Sequence, residues 1–491
     1  MTLLDALERA ALTDRGIDFI GAGRMSYADF AHAAARAAGG LDAAGVAERQ
    51  PVLLVMANGP ELLVTLFGAL LCGAIPAILP PPRAFGDPAA WAAGIAATSA
   101  HAEHAPVVTT PTIAGLLSVP TIDITTLSGP PLTRPRAAAD TALLQFTSGS
   151  LAAPKGVVLS HRALLADASA IAERCAVRPG DAGVFWVPLA HDMALLSFLM
   201  MLVGGIDQLV MPTERFAIDP AGWLELVAAR ASITVGPPFA FGLALDRLKR
   251  KGSRPDFSRL RCAVVGAEPV DARLLERFLA ELAPAGLRDP VFMPSYGLAE
   301  LTCVGCLGAA GAPLVVVDGL VGHGPPLRDH QVRVVDGRIE LRGPAMMDGY
   351  YRDPVASAAA LHDGWLVTGD LGFVRATPHG EMVFISGREK DVIIVRGRHF
   401  FPEELESLGS QVSGTRARGV CAFGVVDPRA SERVVVCVEG ATPDVLRAVR
   451  QALADALDLT VEAVAVPVGA LPRTTSGKLR RAEARRLWGA A

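Results

Sequence analysis

The segment from Leu144 to His161, LQFTSGSLAAPKGVVLSH, places Thr147, Ser148, Gly149 and Ser150, then Pro154, Lys155 and Gly156, between two apolar runs of strand type. A loop rich in backbone N–H groups and hydroxyls, with one lysine, has the chemistry to wrap a polyphosphate. It departs from the phosphate loop of the nucleoside triphosphatases, because Gly156 follows Lys155 and the lead glycine lies too far upstream. Alone it could be a polar surface turn. Its weight comes from three further polar loops that also follow short apolar runs: His191 with Asp192, Gly266 to Glu268, and Tyr296 to Glu300. An open parallel sheet gathers its ligand at such strand ends. Each loop also has a plainer reading, in which Asp192 caps the helix after it and His191 is a hydrogen-bonded structural histidine. In the same way Asp370, after Thr368 and Gly369, could form an Asx turn, and Lys478 in TTSGKLR is by itself a lysine in a polar loop.

The elements that must carry these loops alternate. Val52 to Met56, Ile75 to Leu79, Val184 to Val187, Ile206 to Met211, Ile233 to Val235, Leu260 to Val265 and Val291 to Met293 read as strands, separated by helical stretches. Strands apolar on both faces and spaced by helices predict a parallel sheet covered by helices, an α/β architecture. Residues 1–20 suggest an amphipathic helix, and Tyr27 to Ala38 a second one ending at Gly39 and Gly40. Leu62 to Pro80 and Met193 to Met211 are almost wholly apolar, but the glycines and prolines inside them predict a buried helix followed by a buried strand, not a membrane span. From Pro313 the texture changes to short alternating runs with Gly and Asp turns, which suggests a small antiparallel or barrel-like subdomain over 313–386. Beyond a boundary near 387, residues 387–491 read as a compact α+β unit, leaving 1–386 as the large domain.

Composition bounds the function. The 491 residues are 51% hydrophobic and 20% charged with a net charge of −4, which fits a globular chain and argues against nucleic acid as the main partner. The basic C-terminal residues Arg480, Arg481, Arg485 and Arg486 solvate a helix or meet an acidic protein. Seven scattered cysteines are reduced-compartment usage, and the lone pair Cys303 and Cys306 has no second pair or nearby histidine to complete a metal site. The first residues lack the features of a signal peptide, so the cytoplasm is the expected location.

Five ordered motifs cover essentially the whole chain: TSGSLAAPKG at 147–156, YGLAE at 296–300, GWLVTGD at 364–370, GREKD at 387–391 and PRTTSGKLRR at 472–481. Together they resemble the acyl-adenylate-forming superfamily, which includes acyl-CoA synthetases and the adenylation domains of peptide synthetases. VPLAHDMALL at 187–196, GPPFAFGLAL at 236–245, VVGAEPV at 264–270 and VRGRHFFPEELE at 395–406 are similar to segments of the fatty acyl-AMP ligases in particular. The resemblance implies a large adenylate-forming domain plus a small mobile C-terminal domain turning about a hinge at Lys390. It implies ATP and Mg²⁺ as cofactors. The implied partners are a carboxylic acid and the phosphopantetheine arm of an acyl carrier protein.

Carried over position by position, the resemblance assigns Thr147, Ser148, Gly149, Ser150 and Lys155 to the phosphates. Gly266, Ala267 and Glu268 with Tyr296 and Gly297 would form the adenine slot, and Glu300 would ligate Mg²⁺. Asp370 would accept from the ribose hydroxyls with help from Arg388. Lys478 would approach the α-phosphate and the substrate carboxylate, where negative charge accumulates. The acyl pocket would involve His191, Ala194, Phe198, Phe239, Phe241 and Cys303.

Three departures from the family stand out. Leu151 and Ala152 replace a hydroxyl residue and a glycine in the phosphate loop, Ala194 stands where glycine is usual, and only 21 residues separate Glu300 from Gly322, where the fatty acyl-AMP ligases carry an insertion. Two alternatives therefore stand beside the carrier-protein ligase: an acyl-CoA ligase using free coenzyme A, and a nucleotide-binding scaffold of weak activity, for which Leu151 and Ala152 are the motive.

Overall fold

The structure is a computed structural model and describes residues 1–82, 87–146, 155–395, 398–416, 418–425, 432–474 and 477–489. The chain divides into two compact units. One comprises 1–333, 340–367 and 374–384, and the other 334–339, 368–373 and 385–491.

The first unit is built on an eight-stranded sheet. Its order is Cys306–Leu307, Phe292–Tyr296, Cys262–Val265, Ile233–Gly236, Ala182–Phe185, Asp207–Val210, Gly16–Phe19 and Gly23–Ser26. The six inner strands run parallel and the two edge strands are antiparallel. Strands Cys262–Val265 and Ile233–Gly236 are buried along their whole length, as helices on both faces require. A second, all-parallel sheet takes Ile75–Leu79, Pro51–Val55, Val107–Thr109 and Thr121–Asp123. A third, antiparallel one takes Gly349–Tyr350, Gly156–Ser160 and Thr141–Phe146.

Both strongly apolar stretches resolve as expected, into helix Pro60–Cys72 with strand Ile75–Leu79 and helix Asp192–Val203 with strand Asp207–Val210. Among the described residues no helix is long and apolar enough to cross a membrane. The second unit holds strands Val420–Val425, Arg433–Glu439 and Glu462–Val466 in one sheet, with helices Pro402–Ser410, Pro443–Leu457 and Arg481–Trp488.

Two expectations about the first residues are corrected. The opening helix spans only Leu3–Ala11, and the chain then turns into the hairpin Gly16–Phe19 and Gly23–Ser26, because Ile17 and Phe19 are needed in the main sheet beside Asp207–Val210. The second helix does not stop at Gly39 but runs Tyr27–Ala43. Its two glycines are there for close approach: a Cβ on Gly39 would lie 1.9 Å from the carbonyl oxygen of Pro130, and one on Gly40 would lie 2.7 Å from the Ser128 amide nitrogen. Both obstacles are backbone and cannot rotate away. Gly39→Ala should therefore lose on the order of 1–3 kcal/mol in chemical denaturation. Gly94→Ala, in helix Pro88–His101 with open space around it, should gain about 0.5–1 kcal/mol.

Candidate active site

Four neighbouring parallel strands end at the same edge of the main sheet: Phe292–Tyr296, Cys262–Val265, Ile233–Gly236 and Ala182–Phe185. The polar loops singled out in the sequence follow three of these strands, and Phe239 follows the fourth. Gly266 packs against Ser295, whose Oγ would lie 2.2 Å from an added Cβ, so the end of one strand presses on the next. Ala267 takes the left-handed backbone conformation with φ of 68°, and Glu268 Oε1 accepts from the Phe239 amide at 3.2 Å. Tyr296 is 9% exposed and meets His323 edge-on at 6.1 Å. Gly297 has no room for a side chain, since a Cβ would lie 2.0 Å from the Cys303 carbonyl oxygen. Gly266, Ala267, Glu268, Tyr296 and Gly297 thus form one contiguous ledge.

Lys155 and Glu300, 145 positions apart, are brought together by a residue that the sequence reading passed over. The Tyr350 hydroxyl donates to Glu300 Oε1 at 2.7 Å, and Lys155 Nζ sits 5.0 Å from the centre of the same ring. Burial, followed by the adjacent Glu300 charge, raises the Tyr350 phenol pKa, so it remains a donor. Strand pairing makes the arrangement possible, because Tyr350 lies opposite Val157, two residues after Lys155. The only sequence signal was a paired aromatic in DGYYRDP, which resembles any buried strand end. Thr147, Ser148, Gly149 and Ser150, with Leu151 and Ala152, lie outside the described residues.

The residues expected at the acyl pocket do not all share a surface. His191 Nδ1 lies 2.6 Å from Asp192 Oδ1, which also accepts from the Met193 amide at 2.7 Å, so the helix Asp192–Val203 is capped by the pair. His191, Phe239 and Cys303 keep partial exposure. Ala194, Phe198 and Phe241 are fully enclosed. Phe198 packs with Phe30 and Phe67, whereas Phe241 packs with Trp223, Phe278 and Phe292. Phe198 and Phe241, both expected at the acyl pocket, thus join different aromatic clusters.

In the second unit, Arg388 Nε lies 2.9 Å from Asp370 Oδ1, joining the two residues expected to share one task. Asp370 is 4% exposed and its amide bonds Thr368 Oγ1 at 3.1 Å. Lys390 is exposed within the short turn Glu389–Asp391, whose flanking acids pair with Arg338 at 2.6 Å and Arg481 at 3.3 Å. Lys478 is exposed as well. Its amide bonds Thr474 Oγ1 at 3.0 Å, and the preceding Gly477 carbonyl accepts from Arg418 and Arg473 at 2.7 and 2.9 Å. Arg481, three residues on, is clamped by Glu406 and Glu403, each at 2.8 Å, and by Asp391.

Residues 6–351 match the model of the AMP-binding enzymes. The chain belongs to the AMP-binding enzyme family. This AMP-binding enzyme is 35% identical over 393 residues to a provisional acyl-CoA synthetase of Caulobacter vibrioides, covering 70% of this chain and 68% of that one. It is 32% identical over 453 residues to the 4-hydroxyphenylalkanoate adenylyltransferase of Mycobacterium tuberculosis, covering 78% of this chain and 70% of that one. A solved structure from work on fatty acyl-adenylate ligases of E. coli and L. pneumophila superposes with a TM-score of 0.91 at 26% identity, over 100% of this chain and 99% of that one. The α/β adenylate-forming fold follows from that likeness, as the motifs led one to expect.

His323, the edge partner of Tyr296, is pushed down to about 4 by burial. The unfolded chain takes up its proton near pH 6.5 while the folded AMP-binding enzyme does not, so this group leaves stability untouched above pH 6.5 and lowers it as pH falls toward 4. Denaturation curves across that window should show an acid loss smaller by roughly 3 kcal/mol in His323→Leu than in the parent.

Proposed function

We propose that the protein uses ATP to convert a carboxylic acid with an apolar body into an acyl-adenylate, and then passes the acyl group to the phosphopantetheine thiol of an acyl carrier protein. The observation that carries this reading is the grouping of Lys155 and Glu300 on Tyr350, next to the ledge formed by Gly266–Glu268 and Tyr296. A cation and a carboxylate at one point suit a bound polyphosphate: Lys155 meets its negative charge directly, and Glu300 supplies oxygen for a hard cation. Glu300, together with the phosphates, would hold a Mg²⁺ ion here, which when bound would supply positive charge to offset that of pyrophosphate.

The reaction balances in two steps. A carboxylate oxygen of the acid attacks the α-phosphorus, the bond to the β-phosphate oxygen breaks, and pyrophosphate leaves. Lys478 neutralises the charge that builds on the acid and the α-phosphate in that transition state. Asp370 accepts hydrogen bonds from the ribose hydroxyls, with Arg388 fixing its orientation. In the second step the thiol sulfur attacks the acyl carbonyl, its proton goes to solvent, and AMP departs. Reorientation of the C-terminal domain, residues 387–491, about the hinge at Lys390 withdraws Lys478 between the steps. The acid enters past His191, Phe239 and Cys303.

Transfer to free coenzyme A is the second reading, favoured by likeness to the Caulobacter relative, a provisional acyl-CoA synthetase. Pyrophosphate exchange over a panel of acids, with holo-carrier protein and coenzyme A offered in parallel, decides between them. The expected result is exchange with apolar acids and a marked preference for the carrier, and a preference for coenzyme A overturns that choice. Lys478→Ala should lower exchange by about 10²–10³-fold while thioester formation from pre-made acyl-adenylate changes little; equal losses would remove the lysine from the first step. Tyr350→Phe, which keeps the ring under Lys155 and deletes only the hydroxyl, should slow exchange by about 10–100-fold, read as kcat and as the Mg²⁺ concentration needed for half-saturation.

A further inference from the structure

The loop that follows Glu300 is folded against its own preferences. Thr302 is β-branched yet has φ of 65° and ψ of −59°, a backbone region that costs on the order of 1–3 kcal/mol and persists only when its surroundings enforce it. Three constraints do so. The Thr302 hydroxyl donates to the Ala345 carbonyl at 2.6 Å. Gly297 lets the Cys303 carbonyl lie against it, where a Cβ would stand 2.0 Å away. The third constraint comes from a distant helix: Asp167, in His161–Arg174, accepts the Val304 amide on its Oδ2 at 3.1 Å.

Asp167 is an odd choice for a mere filler. It is 0% exposed, and among the described residues its Oδ1 has no hydrogen-bond partner. An unsatisfied buried polar atom costs about 1–3 kcal/mol, which an apolar side chain would avoid. Burial, opposed by the Val304 amide and reinforced by the nearby Asp192 charge, lifts its pKa well above the carboxylate range, so the group is held neutral. A buried acid that accepts the Val304 amide, with the Cys303 amide also turned to it, is a clamp on the turn.

We propose that Asp167 is a positioning residue of the acid-activating site: its carboxyl holds the Thr302–Val304 turn closed, and through that turn sets where Glu300 and Cys303 are presented. The turn connects the two, with Glu300 on the side of Tyr350 and Cys303 on the side of the acid. The Glu300 carbonyl also accepts from Met347 at 2.9 Å, so a shift at Thr302 is passed to a residue already tied at its other side. This inference rests on the reading of Glu300 and Cys303 given above, and deepens it.

The test compares Asp167→Asn, isosteric and neutral with the acceptor kept, and Asp167→Leu, which removes the acceptor. Pyrophosphate exchange should be retained within about twofold in the Asn variant. In the Leu variant, at unchanged thermal midpoint, the half-saturating Mg²⁺ concentration and the KM for the acid should both rise about tenfold or more, with the KM for ATP much less affected. Hydrogen exchange over residues 301–306 is the arm independent of activity: protection of the Val304 amide should persist in Asn and be lost in Leu. Wild-type kinetics in the Leu variant, or wild-type protection of Val304 there, would overturn the proposal. Equal damage in both variants would overturn it too, since a charge and not an acceptor would then be required. If the parent shows no exchange with any acid, the activity reading fails while the hydrogen-exchange arm still decides whether Asp167 holds the turn.

Discussion

Parallel register among six strands, shut off from water on both faces by helices, is the constraint from which the rest of the first unit follows. Their backbone groups bond laterally, so apolar side chains can fill both sides and polar residues are pushed to the strand ends. Neighbouring strands therefore deliver their loops to one edge. Gly266, Ser295 and Gly297 show how tight that edge is, with backbone of one strand resting where a side chain on the next would stand. Contacts of this kind do little for stability individually, but they leave the ledge one arrangement.

Bringing opposite charges to that edge needs a mediator. Lys155 and Glu300 come from segments far apart in the chain, and a direct ion pair would spend the charge that a phosphate must meet. Tyr350 avoids this by giving its ring face to the lysine and its hydroxyl to the carboxylate. Both groups are fixed in place. The second unit uses a different device. Arg481 gathers Glu403, Glu406 and Asp391, tying the helix that begins three residues after Lys478 to the turn that contains Lys390. Three carboxylates on one largely buried guanidinium leave an excess of negative charge. Burial accordingly raises the pKa of Glu403, although Arg481 opposes that shift. Such a cluster is costly to open once one member is removed. It makes Lys478 and Lys390 parts of one body.

Much of this was legible beforehand. The alternation of apolar runs with helical stretches predicted the parallel sheets, and the glycines and prolines inside Leu62–Pro80 and Met193–Met211 predicted helix-then-strand instead of a span. Asp370 and Arg388 were paired from motif resemblance, and they lie 2.9 Å apart. The misreadings have a common cause. Gly39 and Gly40 look like a helix stop when only local propensity is considered, but they serve contact with residues 128–130. Ile17 and Phe19 continue a helical period on paper and are claimed by a strand 191 positions away. Phe198 and Phe241 were grouped by hydrophobicity, which does not say which aromatic cluster a ring joins.

What the residues by themselves determined is chemistry: which groups can hold phosphate, accept from a ribose or offset a growing negative charge, and in what chain order they come. Those properties belong to side-chain types and short spacings, so a one-dimensional string carries them. Only the tertiary structure decided who stands beside whom. Tyr350 between Lys155 and Glu300, Asp167 under Val304 and Arg481 among its acids all join segments separated by tens to hundreds of residues, and such pairings are set by strand register and helix packing, which local sequence does not encode.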